Sequence, residues 1–120
     1  MAPRTLYQKI WDDHVVHEEP GQPALLYIDR HLIHEGTSPQ AFSSLKSAGR
    51  KVRRPDLTFA MMDHSVPTKD RHLPILDVTA KGQFDALWQN ARETGIRLFD
   101  MHSRNQGIVH VVGPELGITQ

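Results

Sequence analysis

Asp63 and His64 are the neighbouring residues of this chain whose types fit acid–base chemistry most directly. Residues 57–62 before them are apolar enough for a buried strand, and Ser65 and Pro67 interrupt regular structure after them. The pair is therefore expected at the carboxyl end of a strand, where open α/β sheets bind ligands. A carboxylate can orient an adjacent imidazole for proton transfer near neutral pH. The alternative is a pair of surface polar residues or a structural hydrogen bond.

A second polar segment also follows an apolar run. Residues 24–28 are continuously apolar, which predicts a strand buried on both faces in the middle of the sheet. Residues 29–38 then bring acids, histidines and hydroxyls to a sheet edge. The order His31-x-x-His34-Glu35 differs from the helical His-Glu-x-x-His of zinc proteases, so a zinc site is only an alternative here.

Three further histidines lie in helical or apolar surroundings. Apolar spacing predicts a helix over residues 5–16 with Thr5 as its N-cap. His14 and His17 lie three residues apart on this helix. They could bind a metal together, or both could be solvated side chains. His110 lies in the apolar run 107–115, either as a hydrogen-bonded core histidine or as a functional group.

The remaining pattern alternates helices with strands. We predict a helix from Ser38 as N-cap to Gly49, a second helix over 79–94 that ends at Gly95 with Trp88 in the core, and a strand over 96–100. Residues 69–76 read as a loop, and the cations of 50–54 as a solvated connector or an anion contact. The alternation implies an α/β fold with a largely parallel sheet.

Composition excludes several classes of site. Basic and acidic side chains number 14 each, so net charge does not indicate nucleic acid or a membrane as a partner. The chain contains no cysteine, which excludes disulfides, a thiolate nucleophile and cysteine-ligated metal made by this chain alone. No apolar run is long enough to cross a membrane, so a cytoplasmic protein is expected.

Three groups of residues carry a family resemblance. They are YIDRHLIHE with TSPQAF over 27–42, MDH with VPT over 62–68, and NQGIVHVVGPE over 105–115. Together they resemble the N-terminal part of the large subunits of isopropylmalate dehydratases, within the aconitase family. Residues 5–16 and 48–57 match as well. The resemblance implies that residues 1–120 form one partial aconitase-type α/β domain with three αβα layers.

The resemblance also implies a function. It is that of a hydro-lyase that interconverts 2-isopropylmalate and 3-isopropylmalate in leucine biosynthesis, as a heterodimer with a small subunit. A 4Fe-4S cluster in that family acts as a Lewis acid on the substrate. Asp63 and His64 fall where the family has a pair that helps to protonate the leaving hydroxyl, and His110 falls on another active-site histidine. Residues expected to border the substrate pocket are Asp29, His31, His34, Glu35, Thr37 and Ser38.

The missing cysteines limit what is expected of this chain. We interpret it as an N-terminal fragment that lacks the cluster-binding region and is inactive alone. One alternative is a non-catalytic module for binding or assembly. Another is a small metal enzyme that uses His31, His34, His64 or His110. Gly36 and Ser65 depart from the family pattern, where valine and asparagine are expected.

Overall fold

The structure of the chain is a computed structural model that describes residues 3–119. Within these residues the fold contains four α-helices and five strands. In chain order the elements are α1 (Leu6–His14), β1 (Val15–His17), β2 (Leu25–Leu26), β3 (His31–His34), α2 (Ser38–Ser47), β4 (Thr58–Met61), α3 (Val78–Thr94), β5 (Arg97–Phe99) and α4 (Val109–Glu115). A short 3-10 helix, Pro55–Leu57, leads into β4. None of the helices in the described part of the chain is long and apolar enough to span a membrane.

The main sheet is parallel and has the order β3-β4-β5. His31 pairs with Thr58 at one end of β3, and His34 pairs with Met61 at the other. The strand predicted over 57–62 is thus confirmed as the central β4, and the strand predicted over 96–100 is confirmed as β5. The carboxyl ends of all three strands meet at one edge of the sheet.

The prediction of a central strand at 24–28 is wrong. Only Leu25–Leu26 is extended, and it pairs antiparallel with Val15–His17 in a separate two-stranded sheet. Tyr27 and Ile28 are exposed. The sheet strand comes a few residues later at His31–His34, where two apolar residues lie between histidines. A short apolar run does not by itself show which sheet a strand joins.

Helices cover both faces of the parallel sheet. Because successive strand residues face opposite sides, Ala60 and Met62 pack with α2 and α3, whereas Met61 packs with Phe99 and with α4. Both clusters are buried, and Met61 and Leu87 are fully inaccessible. The predicted α/β class with a parallel sheet is therefore confirmed.

The helix α3 follows its predicted pattern with one exception. Asp77 caps its first turn by accepting the N–H of Ala80, and Gly95 ends it with a φ of 74°, which a side chain would strain. Phe84, Leu87 and Ala91 form its buried face. Trp88 was predicted in the core, but it is 47% exposed, and Arg92 lies over its ring. Leu87 already occupies the position facing the sheet, which directs Trp88 away from it.

The N-terminal part of the chain projects from this body. The helix α1 has the capping box of Thr5 and Gln8, yet none of the nine residues Leu6–His14 is buried. The molecule extends over 57 × 35 × 24 Å with a radius of gyration of 17.4 Å. A compact chain of this length would have about 14 Å. The segment 5–28, here called the N-terminal arm, is therefore largely uncovered.

His14 and His17 do not share a helix, contrary to the prediction. His14 ends α1, where its Nδ1 lies 2.6 Å from the carbonyl of Ile10 and its Nε2 lies 3.3 Å from Asp29. His17 lies on β1 and contacts Glu19. The two histidines therefore have separate partners, and the structure gives no support to a shared metal.

The contact between His14 and Asp29 is expected to depend on pH. The carbonyl of Ile10, and then Asp29, raise the pKa of His14 above 6.5. The stabilisation of the folded chain by the contact between protonated His14 and Asp29 is therefore fully present below pH 6.5. It is lost as the pH rises through the raised pKa of His14. In an NMR titration, Asp29→Asn should lower the pKa of His14 more than Asp13→Asn does. Equal effects of the two variants would contradict the contact.

Candidate functional site

Glu35 is the buried centre of the carboxyl edge of the sheet. It follows β3 directly, and its accessible surface is zero. Its Oε2 accepts the backbone N–H of Asp63 at 2.8 Å, and its Oε1 accepts those of His64 and Ser65 at 2.5 and 2.8 Å. Hydrogen bonds to a charged group typically contribute about 1.5–3 kcal/mol each. Glu35 therefore holds the turn after β4 in place.

The rings of His34 and His64 stack at this edge. Their centroids lie 4.2 Å apart with an angle of 27° between the planes. The Nδ1 of His34 accepts the N–H of Gly36 at 3.1 Å, so its neutral ring carries the proton on Nε2 and can donate from there. His64 remains 61% exposed and is open to a ligand. The pair presents one donor-bearing ring and one accessible ring.

Gly36 provides the space for the His34 ring. A Cβ at this position would lie 3.3 Å from two atoms of the imidazole. A valine, which the family pattern predicts here, would press on the ring. The departure noted in the sequence therefore falls directly beside His34, whereas Ser65 takes part through its backbone N–H.

Asp63 connects the turn to the last helix. Its side chain is only 10% exposed, and its Oδ2 accepts the N–H of Val109, the first residue of α4, at 2.7 Å. Ile108, the N-cap residue, makes no side-chain hydrogen bond, so Asp63 satisfies one of the free amides of this helix start. The other oxygen, Oδ1, lies 3.6 Å from Nδ1 of His64, which is too far for a hydrogen bond. Asp63 therefore acts on His64 as a nearby charge.

His110 follows Val109 on α4 and is exposed. The apolar run 107–115 thus forms a short helix, with Val112 buried against the sheet and His110 on the surface. This excludes the alternative of a core histidine. The bond from Asp63 to Val109 places the start of α4, and with it His110, next to the turn that carries His64.

Two variants of Asp63 separate its cap from its charge. Asp63→Asn keeps an oxygen for the N–H of Val109, so the free energy of unfolding should stay within about 0.5 kcal/mol of the native value. Asp63→Ala removes the acceptor and should cost about 1 kcal/mol. Urea unfolding of both variants measures the difference. Equal stability of the two would show that the cap contributes nothing.

Arg71 and Gln106 brace the same edge, and sequence reasoning gave neither a role. Arg71 donates to Oε1 of Gln106 at 2.6 Å and to the carbonyl of Pro67 at 2.9 Å. Gln106 in turn donates to the carbonyl of Met62 at 3.4 Å. The loop 69–76, predicted as irregular, is thus tied to the loop before α4. The residues come from distant segments, so no local pattern indicates this contact.

Four of the six residues expected to border the substrate pocket have no contact with Asp63 or His64 among the hydrogen bonds and ring contacts described above. Asp29 lies beside His14, and His31 begins β3, at the opposite end of the sheet from His34. Thr37 is the N-cap residue of α2, one position before the predicted cap, and makes no side-chain capping bond. Ser38 is 4% exposed, and within residues 3–119 its Oγ has no hydrogen-bond partner. Only His34 and Glu35 of the six are brought against Asp63 and His64.

The donor groups at this edge do not form a convincing metal site. His34, Glu35 and His64 have potential ligand atoms within 4.8 Å of one another. However, nearly parallel stacked rings do not direct their nitrogen lone pairs at one point, and the oxygens of Glu35 already face three N–H groups. His31 is too remote to add a ligand. An iron–sulfur cluster is held by cysteine thiolates, and this chain has none, so its residues do not fit cluster ligation.

Comparison with known proteins identifies relatives of this chain by sequence. A family model described as Aconitase family (aconitate hydratase) matches residues 8–120. The chain is 60% identical over 118 residues to the 3-isopropylmalate dehydratase large subunit of Oceanobacillus iheyensis, and the match covers 98% of this chain and 25% of that protein. The chain therefore spans about a quarter of the length of this curated relative. Since the family model covers nearly all of the sequence, the chain belongs to the aconitase family.

Proposed function

We propose that this chain supplies the proton-transfer edge of an isopropylmalate dehydratase large subunit, which interconverts 2-isopropylmalate and 3-isopropylmalate. The observation that supports this most is the juxtaposition of Asp63, His64 and His34 at the carboxyl edge of a parallel sheet. The 60% identity to a large subunit supports the choice of substrate. Residues 1–120 would form one partial α/β domain of that protein.

Each residue has a separate role in the proposed dehydration. His64, exposed beside the Asp63 carboxylate, donates a proton to the departing hydroxyl, which leaves as water. The Nε2–H of His34 binds a substrate oxygen. The electron pair of the broken C–H bond forms the double bond, and the base that accepts that proton lies on the small subunit. Rehydration at the adjacent carbon reverses these steps. His110 follows Val109, whose N–H Asp63 accepts, and would add a further imidazole to the site from α4.

Catalysis by this route needs more than this chain. Iron–sulfur ligation requires thiolates that these residues do not provide. We therefore propose that the three quarters of a large subunit that the chain does not span, and a small subunit, complete the enzyme of leucine biosynthesis. The chain alone should show no turnover of isopropylmalate.

A chimera tests the proposal. The matched 118 residues of the Oceanobacillus protein are replaced by this sequence, and the product is assayed with the small subunit for isomerisation of isopropylmalate. An active chimera and an inactive isolated chain are expected. A chimera that folds and retains its iron but has no activity would contradict the proposed function, and so would turnover by the chain alone.

A second candidate function is assembly without catalysis, which the exposed apolar side chains of the N-terminal arm favour. Those at least 41% exposed are Leu6, Tyr7, Ile10, Val16, Leu25, Tyr27 and Ile28. Large exposed apolar patches typically mark contacts with another protein surface. Size-exclusion chromatography with the small subunit, and separately with the remainder of a large subunit, would detect such a complex. Saturable isopropylmalate binding without turnover would favour a binding module.

A further inference from the structure

We propose that Glu35 is a positioning residue that fixes Asp63, His64 and His110 in one arrangement, and that it does not bind substrate. The proposal starts from its burial. Glu35 has no accessible surface, whereas the adjacent His34 is partly exposed. A side chain without access to solvent cannot contact a ligand unless the turn moves. The location of Glu35 beside the site therefore does not make it part of the ligand surface.

The hydrogen bonds of Glu35 show what it does instead. Its two oxygens accept three successive backbone N–H groups, those of Asp63, His64 and Ser65. Successive N–H groups that converge in this way form an anion-binding nest. Here the anion is the side chain of the residue that follows β3, 28 to 30 residues earlier in the sequence. The carboxylate thus sets the backbone from which the Asp63 and His64 side chains extend.

The effect of Glu35 reaches the last helix through Asp63. Asp63 is held by its own N–H to Glu35, and its Oδ2 accepts the N–H of Val109. His110 is the next residue of α4. One buried carboxylate therefore couples β3, the turn after β4 and the start of α4. The stacked His34 ring adds a second contact between the same two segments.

Glutamine at this position would disturb the arrangement. An ionised carboxylate accepts on both oxygens, whereas an amide offers one oxygen and turns two N–H donors toward the other backbone N–H groups. Glutamine occupies nearly the same volume as glutamate, so the substitution removes hydrogen bonds without changing the packing. Glu35→Gln therefore tests position without creating a cavity.

Amide hydrogen exchange of the intact 120-residue chain measures this directly. In Glu35→Gln we expect exchange about tenfold faster or more at Asp63, His64, Ser65 and Val109, with amides of α3 unchanged. The control is Glu18→Gln, since Glu18 is exposed in the N-terminal arm and is not among the residues that Glu35 contacts. Unchanged exchange at 63–65, or equal acceleration throughout the sheet, would overturn the proposal. Should Glu35→Gln fail to fold, scalar couplings across the hydrogen bonds from these amides to the Glu35 carboxyl in the native chain decide the same question. Their absence would overturn it.

A kinetic test, which rests on the proposed function, separates positioning from substrate binding. In the chimera, Glu35→Gln should lower kcat by about 10²-fold, the effect of a displacement near 1 Å, and leave KM close to the native value. A raised KM with unchanged kcat would make Glu35 a substrate ligand and overturn the proposal. Failure of the unsubstituted chimera concerns the proposed function alone, because the exchange measurement needs no substrate.

Discussion

Replacing His64 by alanine in the chimeric large subunit is expected to lower kcat by about 10²–10⁴-fold, the range for loss of a general acid. The side chain is 61% exposed and makes no hydrogen bond within the described chain, so its removal should leave stability nearly unchanged. Steady-state kinetics with 3-isopropylmalate, together with urea unfolding of the isolated variant, provide the two measurements.

The control for this variant is His72→Ala. His72 is exposed in the loop between β4 and α3 and lies outside the contacts of Glu35, so its removal should leave kcat within about twofold. Equal kcat for the two variants would show that His64 does not transfer the proton. A loss of kcat accompanied by loss of folding would instead assign His64 a structural role.

Leu87→Ala should have the largest effect on stability. Leu87 is fully buried in the cluster between α3 and the sheet. Its truncation should cost about 2–5 kcal/mol, because lost burial and a residual cavity add together. Denaturant unfolding measures the change. Leu76→Ala makes the same chemical change at a residue that is 91% exposed, and it should stay within about 0.5 kcal/mol. Similar costs at both positions would contradict the assigned core.

Helices and strands that are marked by apolar spacing, an apolar run or a glycine stop were predicted from the sequence. Apolar spacing and the glycine stop predicted α3 closely, and the apolar run before Asp63 predicted β4 and the location of the pair at its carboxyl end. The same reasoning failed for residues 24–28, because a short apolar run specifies neither its partner strand nor its sheet. Trp88 was misplaced for a similar reason, since helical spacing does not decide which of two adjacent apolar residues faces the core.

The candidate site was only partly predictable. Asp63 and His64 are adjacent in sequence, so their type and order were visible, and His34 joined them because parallel strands end at one edge. The role of Glu35 was not visible, since it depends on backbone amides far along the chain. In a sequence, an acidic residue near a site is interpreted as a substrate ligand. Its burial, which the structure gives, distinguishes a residue that holds the backbone from one that contacts the substrate. Arg71 and Gln106 were missed for the same reason.

The strand order of the parallel sheet has a consequence for synthesis on the ribosome. The first strand of this sheet to emerge, β3, lies at one side of the sheet, and its neighbour β4 follows after the short crossover through α2. The pair can therefore form, and Glu35 can engage the turn after β4, before the long helix α3 has left the ribosomal tunnel. The third strand is added only after a larger loop closes, which is the slower step. The anchored turn would thus be a nascent nucleus on which α3, β5 and α4 later assemble.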